Sequence, residues 1–162
     1  MPEPLRGDAA ERAIARLIYS SCLLLDREQF GDYLKLFTPD FQYVIKTYSA
    51  ELRREMTWLD LDRKGTEGLF ATLPSHVRFQ GSLLRHASVY AIDLDADGAT
   101  ARALTSVTVI HTDVNGESRL MAVGRYHDAI DLGRDRPLLR ERVVRLDTRV
   151  FDNESGGSHV PI

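Results

Sequence analysis

The chain has 162 residues, of which 43% are hydrophobic and 28% are charged, with a formal net charge of −3. These proportions are those of a globular protein, so they exclude wholesale disorder, and the length predicts one domain over residues 1–162. The sequence has no basic excess, no apolar run of 18 residues and only one cysteine. We therefore expect a cytoplasmic protein that binds neither nucleic acid nor membrane and forms no intrachain disulfide.

Two helices are predicted at the start of the chain. Residues 8–11 have the spacing of a capping box, and apolar residues then recur at helical intervals over residues 9–25. A second helix follows at once, with Asp26 as its N-cap and an apolar stripe over residues 30–37. Pro39 ends this helix, because the residue before a proline disfavours helical geometry.

Strands dominate the rest of the sequence. Residues 41–47 alternate between apolar and polar side chains, which is the period of a half-buried strand. The pattern is weaker over residues 49–81, where a brief strand near Trp58 and a short helix capped by Thr66 are predicted. Four longer strands follow, at residues 85–94, 99–113, 118–132 and 138–151.

Two local features are expected to shape these strands. The Asn-Gly pair at 115–116 favours a two-residue hairpin. In the last strand the apolar side changes, because Leu139 and Val143 lie on one parity and Val144 lies on the other. This change predicts a bulge at Val143-Val144 that bends the strand.

Helices followed by a long antiparallel meander predict an α+β fold. N-terminal helices packed on a strongly curved, mostly antiparallel sheet would enclose a cone-shaped pocket. The sequence contains no Gly-rich phosphate loop, dinucleotide fingerprint or nucleophile elbow. A Rieske cluster needs two cysteines and two histidines, so Cys22 alone excludes one on this chain.

The titratable residues suggest one catalytic arrangement. Asp26 begins the second predicted helix and His86 opens a strand, and an Asp–His pair at the mouth of a cone could act as a general base. The structural alternatives are an N-cap for Asp26 and an ordinary hydrogen-bonded strand residue for His86. No histidine pair has the helical spacing that would single out an iron site, so no metal site is predicted among His76, His86, His111, His127 and His159.

Arginines concentrate on the last two predicted strands, among interleaved acidic residues. Such a face is either solvated and held by surface salt bridges, or a polar subunit interface, where arginine is enriched. The interface candidates are Arg125, Arg140, Arg142 and Arg145.

Three stretches, taken in order, resemble the small (β) subunit of bacterial aromatic-ring-hydroxylating dioxygenases. They are residues 23–43, the sequence GRYHD at 124–128, and LRERVVRLDT at 139–148 followed by HVPI at 159–162. The resemblance implies the cystatin-like cone that is shared with nuclear transport factor two. It implies a mainly structural subunit with no catalytic residue and no cofactor of its own. Three copies would join three large (α) subunits in a hexamer, and a Rieske [2Fe–2S] cluster and a mononuclear Fe(II) would sit on the large subunit.

Residues 85–88 also resemble the equivalent place in scytalone dehydratase-like relatives, where an aspartate and a histidine serve catalysis. Those positions are Asp26 and His86 here, and Tyr33 completes this alternative set. The sequence thus leaves three functions open. The leading hypothesis is the non-catalytic β subunit, and the alternatives are a free-standing dehydratase or isomerase and a binding module without chemistry.

Overall fold

A computed structural model describes residues 7–72, 81–149 and 162 of the chain. Two helices come first in the chain, and strands dominate the rest, as the sequence predicts. The elements are α1 (Asp8–Asp26), α2 (Phe30–Leu34), β1 (Phe37–Ser49), β2 (Arg54–Asp62), α3 (Arg63–Thr72), β3 (Ser82–Leu94), β4 (Thr100–Thr112), β5 (Ser118–Asp131) and β6 (Leu138–Leu146).

The described strands form one curved, unclosed sheet in the order β2-β1-β6-β5-β4-β3. Every neighbouring pair is antiparallel except β1 and β6, which are parallel. The sheet therefore places β1, from the start of the chain, beside the last strand. This architecture confirms the predicted α+β class and the mostly antiparallel cone.

Helix α1 packs on the inner face of the sheet. Its buried side chains recur every three or four residues, so they form one stripe along the helix; they are Ala10, Ile14, Leu17, Ile18, Ser21, Cys22 and Leu25. An aromatic cluster continues this core beside the helix: the Phe37 and Phe41 rings are stacked at 3.7 Å, and Tyr33 meets Phe37 edge-on at 4.7 Å. Between them, the helix and the sheet enclose the space that we call the interior.

The caps predicted for all three helices are wrong. Helix α1 has Gly7 as its N-cap, and no side-chain hydrogen bond of the predicted capping box at residues 8–11 forms there. Helix α2 has only five residues and no side-chain cap, and Asp26 ends α1 instead of capping α2. The apolar stripe predicted for α2 over residues 30–37 does not reach Phe37 as a helix. Phe37 begins β1 instead, where its ring stacks on Phe41. Helix α3 is present, but Asp62 caps it by accepting the Gly65 N–H at 2.7 Å.

The Asn-Gly turn is also one residue longer than predicted. The Asp113 N–H donates to the Glu117 carbonyl, so three residues lie between the closing pair. The Asp113 carboxylate accepts the N–H groups of Asn115 and Glu117 at 2.9 Å, and Gly116 takes φ 86°. This is the three-residue loop in which a left-handed glycine forms the closing bulge.

The bulge predicted at Val143-Val144 lies at Arg140 instead. Ala129 pairs with Glu141 and Ile130 pairs with Leu139, which leaves Arg140 as the extra residue. One extra residue moves every later side chain to the other face of the sheet. Arg142, Val144 and Leu146 therefore point inward, and the strand ends at Leu146. Residues 150–151 of the predicted strand lie outside the described part of the chain.

Helix α1 also covers the free edge of β3. The Val89 N–H donates to the Tyr19 hydroxyl at 3.2 Å, and the Arg85 N–H donates to both Asp26 carboxylate oxygens at 3.1 Å. Exposed strand edges tend to pair with other chains. Two α1 side chains thus occupy donors that another strand would need.

Candidate functional site

The centre of the interior is a buried ion pair between Arg142 and Asp128. These residues face each other on the adjacent strands β6 and β5. The Arg142 Nε donates to Asp128 Oδ1 at 2.8 Å and Nη2 donates to Oδ2 at 2.9 Å. Both side chains are 0% exposed, so the pair is bidentate and fully desolvated.

Two further groups hold the Arg142 guanidinium. Its Nη1 donates to Ser21 Oγ at 2.9 Å, and Ser21 in turn donates to the Ile18 carbonyl. Its Cζ lies 4.0 Å from the centre of the Tyr126 ring, which is a cation–π contact. Burial lowers the pKa of Arg142, but Asp128, Tyr33 and Tyr126 together outweigh burial and hold that pKa well above its ordinary value. The interior therefore holds a permanently charged guanidinium on β6. Asp128 on β5 neutralises its charge, and Ser21 on α1 accepts one of its hydrogen bonds.

A second ion pair closes the interior near the end of α1. Arg85 Nη1 donates to Asp26 Oδ1 at 2.7 Å, and the Arg85 side chain is 1% exposed. Burial lowers the pKa of Arg85, while Tyr126 and Asp26 together raise it above its ordinary value. Since the Arg85 backbone N–H also reaches both oxygens of Asp26, this carboxylate is engaged from two directions.

Three buried tyrosines surround these pairs. Burial raises the pKa of Tyr33, Tyr43 and Tyr126, although the charge of Arg142 opposes the shift in each. The Tyr43 hydroxyl donates to the Ile162 carbonyl at 2.7 Å and accepts the Ile162 N–H at 3.1 Å. Ile162 is itself buried and belongs to the hydrophobic core. Ile162 thus occupies part of the interior beside Tyr43.

The structure does not bring Asp26 and His86 together. His86 is exposed on the outer face of β3, while its neighbour Arg85 points inward and takes the Asp26 carboxylate. Tyr33 does lie in the interior, as the alternative set requires. Sequence reasoning missed Arg85, although strand alternation requires that only one of Arg85 and His86 faces Asp26.

Three of the four predicted interface arginines lie on the outer face of the sheet, which is the face opposite α1. Arg125, Arg140 and Arg145 are exposed there. The surface position expected for Arg142 is wrong, because the bulge at Arg140 turns Arg142 into the interior. Arg125 makes an ion pair with Asp147 at 3.5 Å, Arg140 with Asp40 at 3.4 Å, and Arg145 with Glu55.

The residue types that can bind a metal ion do not cluster in the described part of the chain. Within residues 7–72 and 81–149, no three histidine, cysteine or acidic side chains converge as a metal ion requires. Cys22 is buried on α1, and burial raises the pKa of its thiol. His76 and His159 lie outside the described residues. The same described part of the chain contains no helix that is long and apolar enough to span a bilayer.

Comparison with known proteins identifies the family. The SnoaL-like domain matches residues 9–142, which include both buried ion pairs. The chain belongs to the SnoaL-like family. Fold alone does not assign a function within such a family. Individual relatives are more informative.

Two curated proteins that are similar to this chain in sequence are β subunits of oxygenases. The chain is 34% identical to the β subunit of methanesulfonate monooxygenase hydroxylase from Methylosulfonomonas methylovora, over 99% of this chain and 91% of that one. It is 35% identical to the β subunit of 2-aminobenzenesulfonate 2,3-dioxygenase from an Alcaligenes species, over 93% and 97%. This likeness confirms the resemblance found in the sequence.

Solved structures share the SnoaL-like fold. The β subunit of a proposed aromatic-ring-hydroxylating dioxygenase from Novosphingobium aromaticivorans superposes with a TM-score of 0.76, at 20% identity, and covers 94% of this chain and 97% of that one. A proposed scytalone dehydratase from the same organism gives a TM-score of 0.63 at 18% identity, over 88% and 87%. At these identities the likeness concerns the fold only.

Replacing Arg142 tests the buried ion pair. Arg142→Met leaves the Asp128 carboxylate buried without a partner, so we expect the free energy of unfolding to fall by about 3–5 kcal/mol. Arg145→Met, on the exposed side of the same strand, is the matched control and should cost no more than about 1 kcal/mol. Chemical denaturation measures both. Equal losses for the two variants would show that the ion pair contributes nothing beyond a surface salt bridge.

The buried tyrosines predict how stability depends on pH. Their pKa values are raised on folding, so the folded protein holds these protons more tightly than the unfolded chain. The stabilisation is complete below about pH 10, where unfolded tyrosine ionises, and falls as the pH rises further. In an alkaline titration, the tyrosinate absorbance of Tyr33, Tyr43 and Tyr126 should appear together with unfolding followed by circular dichroism. Ionisation of all six tyrosines before unfolding would contradict this prediction.

Proposed function

We propose that this chain is the small, mainly structural subunit of a two-component oxygenase of the ring-hydroxylating type. The observation that carries the proposal is the 34–35% identity, over nearly the whole chain, to two curated β subunits. The large subunit would activate dioxygen and insert oxygen into the substrate. The small subunit would hold the large subunits in the assembly.

The geometry of the interior supports a structural role. Its two acidic side chains, Asp26 and Asp128, are both engaged by arginines of this chain. The histidine of the alternative catalytic set, His86, faces away from them. A general base needs a carboxylate or imidazole within hydrogen-bond reach of a substrate proton. Each of these two carboxylates is instead held by an arginine of this chain.

The residues of this chain do not fit the cofactors of such an oxygenase. A Rieske cluster is held by two cysteines and two histidines, and the sequence contains Cys22 alone, which is buried among apolar residues of α1. We therefore assign the Rieske [2Fe–2S] cluster and the mononuclear Fe(II) to the large (α) subunit. In the proposed assembly, three copies of this chain join three large subunits in a cytoplasmic hexamer.

The names of the two curated relatives suggest a substrate class. One relative is named for methanesulfonate and the other for 2-aminobenzenesulfonate. Only the second of these compounds has an aromatic ring, whereas both have a sulfonate group. We propose an organic sulfonate as the substrate of the assembled enzyme.

Capture of this chain from its source cells, with its partners identified, tests the structural role. We expect a large subunit of oxygenase type that carries iron and acid-labile sulfide, while the separated small subunit carries neither. Because this chain has a single cysteine, all acid-labile sulfide should follow the large subunit. A chain captured only with itself, or one that retains stoichiometric iron after separation, would overturn the proposal.

Replacing His86 separates the structural role from the dehydratase alternative. A catalytic histidine contributes about 10²–10⁴-fold to a rate, so His86→Ala should be severe if His86 acts as a base. We expect oxygen uptake by the assembled enzyme on 2-aminobenzenesulfonate to stay within about twofold of wild type, as for a surface substitution. His111→Ala, on the neighbouring strand β4, is the control. A selective loss in His86→Ala would favour catalysis by this chain.

A further inference from the structure

Three cationic side chains stand in one row across the outer face of the sheet. Lys46 on β1 is paired in register with Arg145 on β6, and Arg145 is paired with Arg125 on β5. Residues directly opposite each other on neighbouring strands share a face and come close, so like charges in these positions repel. We call Lys46, Arg145 and Arg125 the cation row.

The acidic residues beside the cation row offset it only in part. Glu55 contacts Arg145 and lies 3.9 Å from Lys46, and Asp147 lies 3.5 Å from Arg125. Two carboxylates therefore face three cations. His127 adds a further basic group to the surface pocket of ≈ 200 Å³ that these side chains line. The row keeps an excess of positive charge at an exposed surface.

A complementary acidic element lies elsewhere on the same chain. The hairpin between β3 and β4 carries Asp93, Asp95 and Asp97, all exposed. Arg102 lies opposite Asp93 on β4, so three carboxylates stand beside one cation and the hairpin keeps an excess of negative charge. None of these three carboxylates forms an ion pair with any residue that the structure describes. We call these three residues the acidic hairpin.

We infer that the acidic hairpin of one copy docks on the cation row of a second copy. The two features lie at different places on the chain, so each copy offers both and the contact is head-to-tail. Head-to-tail contacts close into rings when the rotation between copies permits it. Opposite charges meeting across an interface fix its register and suppress wrong partners. The inference rests on the proposed three-copy assembly and names the surfaces that join its small subunits.

Reversing the charges on each side tests the contact. Arg125→Glu/Arg145→Glu reverses the row, and Asp93→Lys/Asp97→Lys reverses the hairpin. Each variant should weaken self-association by at least about tenfold, since like charges then face each other. A chain with all four substitutions restores opposite charges and should regain association. Sedimentation at moderate salt measures the mass, expected at three times 18.3 kDa for the wild type.

A matched control separates the contact from a general effect of net charge. Arg134→Glu/Arg136→Glu changes the net charge as much as the row variant does, at exposed arginines outside the row, and should leave the mass unchanged. Circular dichroism checks that every variant is folded. The inference would be overturned if the chain with all four substitutions stayed monomeric, or if the control dissociated as much as the row variant.

The outcomes also distinguish this inference from the proposed function. A wild-type chain that is monomeric by itself would overturn the head-to-tail contact, while capture of an identified large subunit would still support the structural role. A row variant that keeps its self-association but loses the large subunit would assign the cation row to the large subunit instead. Failure of capture with normal self-association would overturn the proposed function alone.

Discussion

The charge of Arg142 is the constraint that the rest of the interior satisfies. A guanidinium removed from water needs an opposite charge and hydrogen-bond acceptors at once. Asp128 supplies the charge from β5, Ser21 supplies an acceptor from α1, and the Tyr126 ring covers the flat face of the ion. A slip of one residue between β5 and β6 would place a charge against the apolar core. The pair therefore fixes the register of β5 and β6, and the Ser21 contact fixes the position of α1 against them.

Much of the fold follows from periodicities that the sequence displays. The stripe of α1 and the alternation of Phe41, Tyr43 and Ile45 on β1 each appear in the structure as predicted. The face of the sheet on which Arg142 lies could not be predicted from the sequence, because it depends on the extra residue at Arg140. A bulge at Arg140 and a bulge at Val143-Val144 both fit the apolar pattern. The partner of Asp26 was missed for a related reason. The choice between Arg85 and His86 is made by a contact across 59 residues of sequence.

The interior is arranged as the proposed structural role requires. Its described residues include two buried ion pairs, a stack of aromatic rings and the buried Ile162. The outer face is built differently, with exposed arginines in ion pairs that water and salt can loosen. Buried ion pairs inside and exposed ion pairs outside suit the structural role that we propose.

The parallel pairing of β1 with β6 has a consequence for synthesis. The Thr47 hydroxyl donates to the Leu146 carbonyl, a partner that lies 99 residues later in the chain. A ribosome that adds about 5–20 residues per second needs roughly 5–20 s to cover that distance. During this interval the nascent chain presents the apolar face of β1 beside an empty strand position. The β1–β6 pairing in the sheet therefore forms only after nearly the whole described chain has been made.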